Sequence, residues 1–288
     1  MRTRTCFIML TLFFFNVSAS AQTKTTTSPS DKLNNYISSL KNDDDLTAAN
    51  WGFCLMDPAT GAILAEYNKE KSLMPASGMK AITTLSALNI LGADYKYTTT
   101  LEYDSTITSG ILNGNLYIKG SGDPTLGSNR IKGNQRFDTL VNDWAVKLKN
   151  LGITIIKGNI IADANAFEDY STPGSWNWDD IGQYYGAGPY GLNVYENAYT
   201  IYFSSTKTTS RVDSVFPAIE GLTVYNDTRV GAGSDAFIYG APDSYYRYVV
   251  GGIPAGRKEY TVRGSMPDPP LFLATELKKA LEKNGITR

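Results

Sequence analysis

Ser77 and Lys80 stand three residues apart in PASGMKAITT (75–84), directly after a Pro-Ala step. A serine one helical turn from a lysine can act as nucleophile with its base, provided burial keeps the amine neutral. Ser and Lys at this spacing share one helical face. A helix starting here also directs unpaired backbone N–H groups and the positive end of its dipole toward the serine. Both would favour the oxyanion formed when the hydroxyl attacks a carbonyl. The competing interpretation is an N-cap serine with a solvated lysine.

The letters S-x-x-K alone decide little, because they recur at Ser38–Lys41 and Ser204–Lys207. The first pair falls at the polar end of a predicted helix, and the second follows a strand with no helix after it. The chain contains no histidine at all. That excludes a Ser-His-Asp triad, a Cys-His pair and histidine-ligated zinc or iron. A hydrolytic base must then be lysine, a carboxylate or tyrosine, which favours the Ser77–Lys80 pair. The apolar residues Ala81, Ile82, Leu85, Ala87 and Leu88 are expected to bury Lys80.

Other motifs carry less. GSGDPTLG (120–127) lacks the strand–helix context of a phosphate loop and reads as a turn. Asp179 and Asp180 are adjacent and point apart, unlike a glycosidase pair. Ser175-Trp176-Asn177 matches S-x-N within a Trp-rich loop. No metal site or cofactor is expected. Net charge is −1, with acids and bases interspersed, so no nucleic-acid footprint exists.

Several elements must position the Ser-Lys pair. Arg2 and Arg4, the apolar run CFIMLTLFFF and Ala19-Ser20-Ala21 form a secretory signal over residues 1–21, cleaved near Ala21–Gln22. The expected location is secreted or periplasmic, with no transmembrane segment in the mature chain. Cys6 leaves with the signal, and Cys54 reads as a buried small hydrophobe. Residues 22–30 read as a disordered tether. Leu33, Tyr36, Ile37 and Leu40 mark a helix entered at Ser30 or Asp31. Strands at 51–56 and 62–67 flank an Asp57–Gly61 turn, and the Ser77 helix runs to Leu91 with Gly92 as its stop. Beyond residue 97 the texture changes to short strands. They are interrupted by a helix over 138–151 with Leu140, Val141, Trp144, Leu148 and Leu151 inward. β-rich segments at 195–203 and 222–262 precede a last helix from Leu271 to Lys283.

Four stretches, in order, carry a family likeness: PASGMK, LNGNLYIKGSGDPTL, PGSWNWDDIGQYYGAGPYGLNVYENA and PDPPLFLATELKKALEKNGI. Together they resemble the class C low-molecular-mass penicillin-binding proteins. These are D-alanyl-D-alanine carboxypeptidase/endopeptidases of the serine penicillin-recognising superfamily. The resemblance implies an α/β fold, mixed α and β: the N-terminal part of a transpeptidase/β-lactamase-like domain with β-rich inserted domains. On that scheme residues 31–96 begin the catalytic domain, 97–264 are inserted, and 265–288 return toward it.

The resemblance further implies Ser77 as the acylated serine and Lys80 as base, then acid. Asp163 would help hold the substrate's diamino acid. Peptidoglycan stem peptides would be substrates, β-lactams inhibitors, and no metal or cofactor would be needed. The family's S-x-N and K-[ST]-G motifs follow the returning helix. No K-[ST]-G occurs in these 288 residues. The chain is therefore expected to be the front portion of a longer design and inactive alone. Alternatives are a non-catalytic wall-binding protein on the same scaffold and, less favoured by the long insertion, a β-lactamase.

Overall fold

The computed structural model describes residues 28–168 and 170–288. The predicted signal and most of the predicted tether lie outside the described residues. The described chain forms two compact units, one ending at Ala93 and the other spanning Asp94–Arg288.

The first unit opens with helix α1 (Pro29–Leu40). It starts earlier than Ser30 or Asp31 because Ser28 caps it. The Asp31 N–H donates to Ser28 Oγ at 3.0 Å, and the Ser28 N–H donates to Asp31 Oδ2 at 3.2 Å. Pro29 follows at the first helical position, where no N–H is needed. Strands β1 (Phe53–Met56) and β2 (Ile63–Tyr67) pair antiparallel from Phe53↔Tyr67. At the turn Asp57 Oδ1 accepts the N–H groups of Ala59 (2.8 Å) and Thr60 (3.0 Å). These bonds, that of Thr60 foremost, hold the Asp57 carboxyl below its ordinary pKa. Helix α2 (Met79–Leu91) completes the unit and stops at Gly92, whose φ of +82° suits a residue without Cβ.

Two expectations fail in this unit. Cys54 is exposed, as is all of β1, because α1 packs on β2 and the buried apolar side chains are Ile37 and Ala65. Helix α2 is likewise exposed along its whole length, with Ile82 at 62% and Leu85 at 66%.

The second unit is built on two cores. Strands β3 (Thr99–Tyr103), β4 (Ile107–Thr108), β5 (Ile111–Leu112) and β6 (Leu116–Gly120) precede helix α3 (Phe137–Asn150). Strands β7 (Ile155–Ile156) and β8 (Ile160–Asp163) follow it. They form two three-stranded sheets, β3-β6-β8 and β4-β5-β7. On β6, Leu116 and Ile118 are buried while Tyr117 and Lys119 face the other side, the period-two pattern of a half-covered strand.

Helix α3 buries Phe137, Val141, Ala145 and Leu148. Leu140 and Trp144 are only half-buried, and Leu151 is exposed because it is the C-cap, past the last helical turn. Helix α5 (Pro269–Lys283), reached after the single turn α4 (Trp178–Ile181), packs against α3 and β8. It begins two residues before the expected Leu271. Pro269 and Pro270 occupy its first turn, and Asp268 Oδ1 accepts the Leu271 N–H at 2.9 Å. After Gly285, Thr287 bridges Ile155 in parallel, joining the last residues to β7.

The other core lies between β9 (Ala198–Ser205), β10 (Ser210–Phe216), β11 (Thr223–Gly231), β12 (Phe237–Tyr239), β13 (Tyr246–Pro254) and β14 (Tyr260–Ser265). Their sheets are ordered β10-β9-β14 and β11-β13-β12, with β11 and β13 parallel. Tyr199, Ile201, Phe203, Ile238, Val249 and Ile253 fill the space between them. Residues 195–197, expected to open a strand, instead turn left-handed before β9 begins. Arg247 is buried here with its guanidinium donating to carbonyls, Tyr246 O at 3.1 Å and Ser265 O at 3.2 Å among them. Burial pushes the neighbouring Tyr199 phenol up to about 12.

Leu277 is fully buried in α5 whereas Leu271 on the same helix is half exposed. Leu277→Ala should destabilise the second unit by about 2–5 kcal/mol. Leu271→Ala should stay within about 0.5 kcal/mol of the parent. Urea unfolding followed by circular dichroism compares the two.

Candidate active site

The opening of α2 places Ser77 and Lys80 together. Ala76–Gly78 form a single 3-10 turn that runs directly into α2. Ser77 is thus not an N-cap: the residue at that position is Gly78, and no side chain caps the helix. The serine side chain is left for another partner. Lys80 Nζ donates to Ser77 Oγ at 3.1 Å, the separation across which a neutral amine would take the hydroxyl proton. Before the serine, Ala76 has a φ of +43°. A non-glycine residue held there costs about 1–3 kcal/mol, a strain that concentrates at functional turns.

Electrostatic support for the pair is weaker than expected. Lys80, Ala81, Ile82, Leu85, Ala87 and Leu88 are all exposed, so the burial foreseen for the lysine is not supplied by the described residues. The helix is apolar on all faces rather than along one stripe, a composition suited to a helix covered on every side. Within its own unit, α1 and the β1–β2 hairpin cover one another instead.

Asp163 belongs to the second unit, as the last residue of β8. It is half-buried, its backbone pairs in register with Lys119 of β6, and its Oδ1 accepts the Asn165 N–H at 3.0 Å. On the same sheet lies a polar cluster. Asp104 accepts from the Asn115 N–H at 2.7 Å, from Asn115 Nδ2 at 2.7 Å and from the Tyr117 hydroxyl at 2.8 Å. The Asn115 backbone bond leads the effects that hold the Asp104 carboxyl below its ordinary pKa. The reciprocal bond to Asp104 raises the Tyr117 phenol, and the charge of Asp163 adds in the same direction.

The remaining motifs behave as structure. In GSGDPTLG, Asp123 Oδ1 accepts the Thr125 N–H (2.8 Å) and hydroxyl (2.7 Å), closing a turn. Ser175, Trp176 and Asn177 lie in the loop before α4. Sequence inspection missed the left-handed Ala76, for which alanine offers no signal.

Residues 33–288 match the D-Ala-D-Ala carboxypeptidase 3 (S13) family. The chain belongs to that family. It is 28% identical over 274 residues to the D-alanyl-D-alanine carboxypeptidase of Actinomadura sp. (strain R39), covering 89% of this chain and 48% of that one. It is 25% identical over 189 residues to D-alanyl-D-alanine carboxypeptidase DacB of Haemophilus influenzae, covering 65% and 37%. The chain therefore spans about half the length, or less, of these relatives.

Penicillin binding protein 4 of H. influenzae superposes with a TM-score of 0.65 at 21% identity, over 83% of this chain and 52% of that one. The same protein complexed with a β-lactam superposes with a TM-score of 0.60 at 18% identity. The chain thus shares its mixed α and β fold with penicillin binding protein 4. Among the described residues no helix is long and apolar enough to cross a membrane.

The Asp104 cluster makes a pH test of the sheet that ends in Asp163. A carboxyl with a depressed folded-state pKa contributes stability above its ordinary value of 3.8 and loses it as pH falls through the lower folded value. Asp104→Asn should therefore lower stability at neutral pH, with the difference from the parent vanishing toward strong acid. Urea midpoints measured from pH 2 to 7 check the sign, and a pH-independent difference would contradict it.

Proposed function

We propose that this chain is the nucleophile-bearing portion of a serine D-Ala-D-Ala carboxypeptidase/endopeptidase acting on peptidoglycan stem peptides. The observation that carries the proposal is the 3.1 Å Lys80 Nζ–Ser77 Oγ contact at the entry to α2, in a chain of the S13 family that has no histidine. Ser77 Oγ would attack the carbonyl of the penultimate D-alanine as neutral Lys80 takes its proton. The C–N bond would then break, with the proton passing from Lys80 to the departing D-alanine amine. Water would hydrolyse the ester at Ser77 and regenerate the serine.

The N–H of Ser77, in the 3-10 turn leading into α2, is suited to donate to the oxyanion. A second donor and the strand that aligns the peptide are roles of the K-[ST]-G segment, a motif these residues do not contain. β-Lactams would acylate the same serine. H. influenzae penicillin binding protein 4, a structure of the same fold, is known in complex with one.

The same proposal assigns Asp163 to the substrate's diamino acid, supported by its place where β8 runs into a loop. It also places the mature protein outside the cytoplasm, in the periplasm or secreted, on the strength of the basic and apolar N-terminal sequence. Residues 31–96 would open the transpeptidase-like domain and 97–264 form the inserted β-rich part, with 265–288 leading back.

Labelling with a fluorescent penicillin and peptide mapping tests the proposal. In a chain carrying all three motifs, the adduct should map to Ser77 and be lost in Ser77→Ala. Lys80→Met should slow acylation by at least about a hundredfold, the usual contribution of a general base. Residues 1–288 alone, with only the first motif, should give little or no stable adduct. An adduct elsewhere in the three-motif chain, or full labelling of Ser77→Ala, would sink the assignment.

A further inference from the structure

The sheet β11-β13-β12 packs one face on a core and turns the other outward. Val249 and Ile253 point into the core. The alternate residues of β13, Tyr246, Tyr248, Val250 and Gly252, therefore stand on the outer face. Tyr225 of β11 pairs in register with Tyr248, and Tyr248 pairs with Tyr239 of β12. One row of the outer face is thus tyrosine on all three strands. Polar residues are the rule on such a face, yet Tyr225, Tyr246 and Tyr248 are 45%, 56% and 52% exposed.

The rings form an ordered stack. Tyr225 and Tyr248 lie 4.9 Å apart between centroids at an interplanar angle of 12°, and Tyr246 follows Tyr225 at 6.2 Å and 26°. Carbon atoms touch at about 3.5–4.0 Å, so parallel rings with this centroid separation are offset. An offset stack leaves part of each ring face reachable, together with the hydroxyl-bearing edge. Tyrosine has two χ angles to fix, so the stack is a rigid platform for a flat apolar surface. Cross-strand pairing of two rings already stabilises a sheet, and the third extends the platform beyond that need.

The same face continues into a cavity. Asp227 and Arg229 follow Tyr225 at alternate positions of β11, opposite Val250 and Gly252 of β13. With Asp235 they line a cavity of about 440 Å³, within the roughly 300–1,000 Å³ of ligand pockets. Its floor is bare backbone at Gly252, where a Cβ would stand 2.5 Å from Asp235 Oδ1. The Gly252 N–H donates to that oxygen at 2.9 Å and fixes the carboxylate against the cavity.

These side chains discriminate among flat ligands. Two carboxylates accept hydrogen bonds without donating, and the guanidinium donates without accepting. A proline-rich strand offers carbonyl acceptors without N–H donors, which the carboxylates do not match. A nucleic acid would bring phosphates against Asp227 and Asp235. An uncharged polyol suits all three side chains, because each hydroxyl both donates and accepts. In a pyranose those hydroxyls ring a flat C–H face that lies well against an aromatic ring.

We propose that this outer face binds a glycan chain, with one hexopyranose in the cavity and its neighbours along the tyrosine stack. On the function proposed above, the natural ligand would be the glycan strand of the wall. The site itself needs no chemistry at Ser77.

Isothermal titration of the whole chain with chitohexaose, cellohexaose, N-acetylglucosamine, a polyproline peptide and oligothymidylate tests it. At least one hexasaccharide should saturate a single site, with the monosaccharide at least about tenfold weaker. Tyr225→Ala, Tyr248→Ala and Asp227→Ala, all at exposed positions, should each weaken hexasaccharide binding by about tenfold or more. Tyr248→Phe keeps the ring and should keep most of the affinity. Ser77→Ala should bind like the parent, so failure of the peptidase reading would leave this result standing. Circular dichroism checks each fold, and Tyr246→Ala replaces any tyrosine variant that unfolds. No saturation by either hexasaccharide, tighter binding of polyproline or oligothymidylate, or unchanged binding in the folded tyrosine and Asp227 variants would each overturn the proposal. Loss of binding in Ser77→Ala would also overturn it, by moving the glycan to the serine.

Discussion

Burial of α5 against α3 is the contact on which the helix-covered core of the second unit depends. Leu273, Leu277 and Leu281 from the end of the chain meet Val141, Ala145 and Leu148, and both helices close over Leu116 and Ile118 of β6. Side chains contributed more than 150 residues apart complete this core, so the apolar faces of α3 and β6 are not covered until α5 docks. The Asp268 cap and the two prolines start that helix where the docking face needs it. The bridge from Thr287 to Ile155 then carries the order of the helix into a sheet.

The first unit shows the opposite balance. Its polar geometry is settled locally: a capped α1, an Asp57 turn and a lysine one turn after a serine. Its apolar surface is not. The same composition that makes α2 a core-type helix leaves Ile82, Leu85 and Leu88 exposed within the described residues. Catalysis by a Ser-Lys pair needs both parts, because contact positions the proton transfer and desolvation makes the amine a base. Only the contact is built by these residues.

Left-handed non-glycine backbone stands at Ala76, beside Ser77, and runs over three successive residues in the Tyr195–Asn197 turn. Left-handed backbone at non-glycine residues persists only where neighbours over-determine it. At 195–197 those neighbours are an asparagine network and an aromatic stack with Phe137, Phe216 and Phe272. The turn is rigid through core packing, so the ion pair of Glu196 with Arg263 is set by the fold.

Much of this was legible in the amino-acid order because it is set by short-range chemistry. The helix at 79–91 follows from its apolar run and stop glycine, and the β1–β2 hairpin from its Asp-Pro turn. The Ser-Lys pair stands out from its helix entry and from the absence of histidine. The family was legible too, through the four ordered stretches that carry its likeness, and residues 33–288 match it.

Other features depend on contacts distant in sequence. Leu151 was expected inward but faces solvent because the helix ends there, and Cys54 is exposed because α1 covers the other strand. Nothing local in Tyr195-Glu196-Asn197 signals a left-handed turn, and nothing local pairs Arg263 with Glu196 from 67 positions away. Periodicity and caps act over a few residues, so the sequence alone determines them. Coverage of a helix face, imposed strain and the meeting of distant charges exist only after the chain has packed, and the tertiary structure decides them.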